Sequence, residues 1–136
     1  KTLASIVEAV YDSLSKDFGI EYYSLTLLGN DKKLPRTMAR IASIEKANES
    51  VGTLLGANRA VCGILREEEM VFLFGESGRQ VGSVAAVPLR YDSLYGILAV
   101  GNSDPNFYKS SMGTLFLSYI AEILNRLMPG HLKALV

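Results

Sequence analysis

The chain is short of cysteine. Cys62 stands alone among 136 residues, which excludes an intrachain disulfide framework and a zinc site built from several thiolates. A reducing cytosol is the simpler compartment. Surplus charge is missing as well: 14 Lys+Arg balance 14 Asp+Glu for a formal net charge of zero, so no overall field draws the molecule to nucleic acid or anionic lipid. Long apolar runs are absent too. Charge-free stretches such as Val81 to Leu89 and Ser110 to Ala121 fall short of the roughly 18 residues that a spanning helix needs, and no membrane segment is expected. The one histidine, His131, lies beyond Pro129-Gly130, poorly placed to orient a serine or cysteine nucleophile. Gly75, Gly78 and Gly82 have the spacing of neither a P-loop nor a dinucleotide fingerprint, which leaves them turn and close-packing roles. No residue set has the look of a catalytic engine, so an enzyme is not expected, and no cofactor or metal is named.

What is present suits one domain with one interior. A chain of 136 residues with 49% hydrophobic and 21% charged residues buries most of what its unfolded form exposes and is not expected to be disordered. Leu3, Ile6, Val7, Val10, Leu14 and Phe18 recur at helical spacing, and Gly19 supplies a left-handed stop. Ile20 to Leu28, ending in Gly29-Asn30-Asp31, reads as a strand. Leu34 to Ile44 alternates weakly after Pro35 and reads as another. Lys46 to Leu55, stopped by Gly56, predicts a short helix, Ala60 to Leu65 a brief strand, and Glu67 to Phe74 a helix whose three leading glutamates suit its N-terminus. Val81 to Leu89 and Leu94 to Gly101, joined by a short polar turn, predict an antiparallel hairpin. In it Gly82, Ser83, Ala85 and Ala86 keep one strand slim, so that another element approaches closely or space is left beside the sheet.

The last helix, Met112 to Met128, is apolar on two faces. Met112, Leu115, Phe116, Tyr119, Ile120, Ile123 and Leu127 make one, and Leu117, Ala121, Leu124 and Met128 the other. Ser110 or Ser111 is placed to cap it, and Pro129-Gly130 to close it. One face covers a sheet; the second must bury against the first helix or a second copy of the chain. The expectation is a parallel homodimer seam at Leu117, Ala121, Leu124 and Met128.

The order helix, strand, strand, helical crossing, strand, strand, helix resembles a GAF domain. Narrower likeness is carried by Val61-Cys62-Gly63-Ile64-Leu65-Arg66, by Val81 to Leu89, by Gly96-Ile97-Leu98-Ala99-Val100-Gly101, and by Asp104-Pro105 with Met112-Gly113-Thr114-Leu115-Phe116-Leu117. These strings resemble the proteobacterial family called domain of unknown function 484. That family usually has Gly-Ser where Gly101-Asn102 stands, and here an extra Phe107 precedes Tyr108. The resemblance implies an α+β fold with a GAF-like central antiparallel sheet and the N- and C-terminal helices packed on one face. It implies a single module spanning 1–136, commonly preceded by a helical segment and consistent with a piece of a longer bacterial chain that opens on Lys1. It brings no established activity.

In a GAF-like arrangement the cavity is framed by the hairpin and the crossing elements, here Tyr23, Cys62, Phe72, Phe74, Ser83, Ala85 and Tyr95, where small residues open space and hydroxyls and aromatics orient a small molecule. Each of these taken alone is also an ordinary core residue. Cys62 suggests the thiol chemistry by which some GAF-like enzymes reduce methionine sulfoxide, but with no resolving thiol it reads better as a small buried hydrophobe. Bilin attachment lacks the neighbouring histidine, and the cyclic-nucleotide GAF signature has no match. Lys32, Lys33, Arg36 and Arg40 read as a solvated loop, and Glu67 to Glu69 point in different directions from a helix start rather than toward one metal. The function expected is a cytoplasmic, non-catalytic sensory module that binds a small molecule and acts through a helical dimer. A ligand-free dimerisation or docking module is the alternative.

Overall fold

The computed structural model describes residues 2–29, 37–57, 60–109 and 115–132. Five strands form one sheet in the order β2-β1-β5-β4-β3: β1 Tyr22–Leu28, β2 Arg40–Ala42, β3 Val61–Gly63, β4 Ser83–Tyr91 and β5 Ser93–Asn102. Among the described residues four α-helices cover it: α1 Leu3–Asp12, α2 Ile44–Leu55, α3 Glu67–Phe74 and α4 Leu115–Leu132. The fold is α+β, with one parallel pair, β1 with β2, in a sheet otherwise antiparallel.

The hairpin is the spine. β4 and β5 pair from Ser83↔Asn102 to Tyr91↔Ser93, and the chain reverses at Asp92, whose φ of 66° is one that aspartate tolerates better than most residues. Both strands run further into the expected polar turn than apolarity alone indicates, because ladder bonds do not require apolar side chains. Leu89 faces Gly96 while Arg90 faces Leu94, so Tyr95 is an extra residue on β5 and the strand bulges there. A bulge resets the alternation. Leu94 and Ile97 consequently share one face of the sheet, while Tyr95, Leu98 and Val100 take the other.

Each face has its own core. Leu25 and Leu27 of β1, Ala85, Val87 and Leu89 of β4, and Leu98 and Val100 of β5 pack under α1 and α4. Val84, Ala86, Ile97 and Ala99 pack under α2 and α3, against Ala47, Val51, Leu54, Met70 and Leu73. Full burial of each Leu, Ile, Val or Met among these contributes on the order of 2 kcal/mol. Gly82 lets the loop after β5 lie against the start of β4: a Cβ there would sit 2.2 Å from the Ser103 carbonyl oxygen.

Local chemistry sets the helix ends. Thr2 and Ser5 form a capping box at α1. The helix then widens into a π turn, Ser13–Asp17, which shifts the helical register: Leu14 is buried, while Phe18 is exposed on the surface and stacks on Phe116. The Ser43 hydroxyl accepts a bond from the Lys46 N–H at 3.1 Å, so α2 starts at Ile44 and the second strand is confined to Arg40–Ala42 rather than running through Ile44; α2 is kinked at Val51. At α3 the Glu69 carboxylate accepts from the Arg66 N–H at 2.9 Å, an N-terminal role for that glutamate. Helix α4 continues through Pro129 to Leu132 instead of closing at Pro129-Gly130. Its last turn is held by Met128 and Leu132, both buried against the α1/α4 core, and that anchoring outweighs the one backbone bond a proline removes. The caps at Ser110 and Ser111 and the basic residues Lys32, Lys33 and Arg36 lie outside the described residues.

Candidate functional site

The seven residues expected to frame one cavity are divided by the sheet. Tyr23, Cys62, Ala85 and Tyr95 lie on the α1/α4 side, and Phe72 and Phe74 on the α2/α3 side. Tyr23 meets Tyr11 edge to face at 5.1 Å. The Tyr95 hydroxyl reaches across to Asn125 Oδ1 of α4 at 2.6 Å, and burial holds its phenol well above the ordinary value. Ser83 is a brace. Its hydroxyl donates to the Asp104 carbonyl at 2.7 Å and accepts from the Tyr108 N–H at 3.1 Å, which fastens the loop after β5 to β4. Tyr108 in turn is raised by burial and by Cys62 beside it. Cys62 pairs with Ala85 across β3 and β4 and is half-buried. Among the described residues, no three His, Cys, Asp or Glu side chains gather as a metal would need.

The other side of β1 holds what the sequence reading missed. Ser24 and Thr26 alternate with Leu25 and Leu27, so their side chains face α2 and α3, and both are buried. Neither hydroxyl has a hydrogen-bond partner among the described residues. Leaving one such group unsatisfied costs about 1–3 kcal/mol, and native interiors rarely tolerate it without a reason. Their cross-strand neighbours are Ala99 and Ile97, which offer no polar atom from the side chain. Thr26 is also paired with Arg40 of β2, whose guanidinium lies beside Gly75 at the end of α3: a Cβ on that glycine would sit 2.9 Å from Nη1. Two hydroxyls and a cation thus share one side of the β1/β2 edge. In the sequence, Ser-Leu-Thr-Leu reads as a strand with a wet face, and only the position of α3 reveals that this face is dry.

Helix α4 turns the opposite way from expectation. Leu117, Ala121, Leu124 and Met128, expected at a dimer seam, are buried in the chain's own core beneath α4 and are not available to a second copy. The reason is geometric: steps of four, three and four make one narrow row that lies flat on the sheet, with Ala121 allowing close approach. The seven-residue face spans too wide an arc for that. Part of it, Phe116 and Ile120, leans on the α1 side, and the rest is exposed: Leu115 84%, Tyr119 66%, Ile123 41% and Leu127 40%. Between α1 and α4 runs an apolar groove of about 360 Å³, walled by Ile6, Ala9 and Val10 on one helix and Ile120, Ile123 and Leu127 on the other.

A five-stranded sheet covered by terminal helices on one face and by crossing helices on the other defines an α+β domain. The chain belongs to the family described as "Protein of unknown function, DUF484", whose model matches residues 1–133. No curated protein matches it. No described helix is long and apolar enough to cross a membrane.

Proposed function

We propose that this is a GAF-like sensory module that binds a small molecule between the sheet and the α2/α3 layer and passes the change to α1 and α4. The observation that carries this is the pair of buried hydroxyls at Ser24 and Thr26, neither with a hydrogen-bond partner among the described residues. A largely apolar ligand with one polar group directed at them recovers the cost of leaving both unbonded, and an anionic end suits Arg40 at the strand edge. Phe72 and Phe74, half-buried in the same layer, supply aromatic surface, as small-molecule sites commonly do.

Entry requires α2 and α3 to move on the sheet, and the kink at Val51 gives α2 a place to bend. The ligand therefore favours one arrangement of the covering helices, and only by its difference in affinity between the two arrangements. Strand β5 links the two sides, since Ile97 and Ala99 face the proposed site while Leu98 and Val100 support α1 and α4.

A thermal-shift screen of the whole chain against metabolites grouped by charge and size tests the reading. At least one class is expected to raise Tm for the wild type and to lose that effect in Thr26→Val. A flat response across the panel, from a protein that stays associated, favours instead a docking module without a ligand, for which the exposed row on α4 is the supporting observation.

A further inference from the structure

We infer that α4 pairs with α4 of a second copy in antiparallel fashion, the Leu115/Tyr119 end of one helix entering the α1/α4 groove of the other. No ligand enters this inference, and it stands apart from the sensory reading.

Leu115, Tyr119, Ile123 and Leu127 are four residues apart, and such a row slants across a helix rather than running along it. The exposures follow that slant, falling from 84% at Leu115 to 40% at Leu127. At the N-terminal end the row stands clear of the domain as a knob. At the C-terminal end Ile123 and Leu127 have turned toward α1 and become a wall of the groove. One helix therefore carries a projection and, about two turns further on, a matching hollow.

A surface that holds both halves of a contact satisfies itself about a two-fold axis. With the axis crossing α4 at the level of residue 121, on the face away from the sheet, Leu115 meets the other copy's Leu127 and Tyr119 meets its Ile123, so each knob fills a groove and the contact closes on two molecules. A parallel pairing sets knob against knob and leaves both grooves open. The occupant must also be uncharged, since no Lys, Arg, Asp or Glu among the described residues lines the groove, and the knob meets that condition.

Area is consistent with a dimer of modest affinity. The exposed row offers on the order of 500 Å² per copy, so a two-fold contact removes roughly 1,000 Å², near the lower bound for a specific interface. A patch of about 500 Å² lies in the upper part of the range for the largest apolar patch on a monomer, which is often functional.

Sedimentation equilibrium of the whole chain gives the first test. The wild type is expected to dimerise, and Tyr119→Glu on the knob or Ala9→Glu on the groove to weaken association by about tenfold or more. Both positions are exposed, and unchanged thermal melts at low concentration check that each variant is folded. Orientation is read by oxidative cross-linking in a Cys62→Ser background. Leu115→Cys with Leu127→Cys is expected to give covalent dimers, and Leu115→Cys alone to give few. A monomeric wild type, a Tyr119→Glu protein as dimeric as the wild type, or efficient cross-linking through Leu115→Cys alone would each overturn the inference.

Discussion

Truncating Leu124 and Leu115 separately asks which side of the last helix faces the sheet. Leu124 has no exposed surface and sits in the core shared by α1, α4, β4 and β5. Leu124→Ala removes buried methyl groups and leaves a cavity that closes only in part, at a cost of about 3–5 kcal/mol. For a domain of this length each kcal/mol lowers Tm by about 3–4 °C, so a fall of roughly 10–20 °C is expected. Leu115 is mostly exposed, and Leu115→Ala on the separated monomer is expected to change stability by no more than about 0.5 kcal/mol. Urea unfolding followed by circular dichroism, at a concentration low enough to keep the protein monomeric, measures both. A neutral Leu124→Ala beside a costly Leu115→Ala would refute the placement of α4.

Thr26→Val replaces a buried hydroxyl that has no partner among the described residues with a methyl group of similar shape, so the ligand-free protein is expected to gain about 1 kcal/mol in urea unfolding; a loss of similar size would mean that the hydroxyl is bonded. Tyr11, Tyr95 and Tyr108 are all raised by burial, even though the Leu25 N–H donating to the Tyr11 hydroxyl works the other way. An unfolded phenol ionises near pH 10, so their contribution is complete below about pH 10 and is lost as pH rises from there through the folded values. The urea midpoint should fall above that pH, less steeply in Tyr95→Phe, and a midpoint unchanged to pH 11 contradicts the burial of these rings. Gly82→Ala sets a Cβ against the Ser103 carbonyl and is expected to cost about 2 kcal/mol or more, with faster amide exchange at Tyr108 as the loop lifts from Ser83.

The elements that could be read from the sequence are those whose local signals agree with their final setting. Glu67–Phe74 is the helix its leading glutamates and following apolar residues indicate, and the hairpin follows from two apolar runs and a polar break. Boundaries failed where a side chain decided them: the Ser43 hydroxyl starts α2 early, and the π turn after Asp12 rotates Phe18 outward. The two faces of α4 both read as apolar, and periodicity alone cannot say which one the sheet accepts. That depends on Ala121 lying beside Val87 and Pro88 of β4, on Phe18 taking Phe116 and on α1 taking Ile120. The candidate pocket set divides because Phe72 and Phe74 of α3 pack on the opposite side of the sheet from Tyr23, Cys62, Ala85 and Tyr95, and the face a crossing helix covers is not written in its own residues. Ser24 and Thr26 carry no mark of burial in the sequence, because polar residues at every second strand position ordinarily meet water.

Native mass spectrometry of the protein purified gently from cells, beside Thr26→Val prepared in the same way, tests the central claim most directly. A small-molecule mass retained by the wild type and lost from the folded variant is the predicted result. Two proteins that both fly bare, or that carry the same added mass in equal amount, would contradict a ligand held at Ser24 and Thr26.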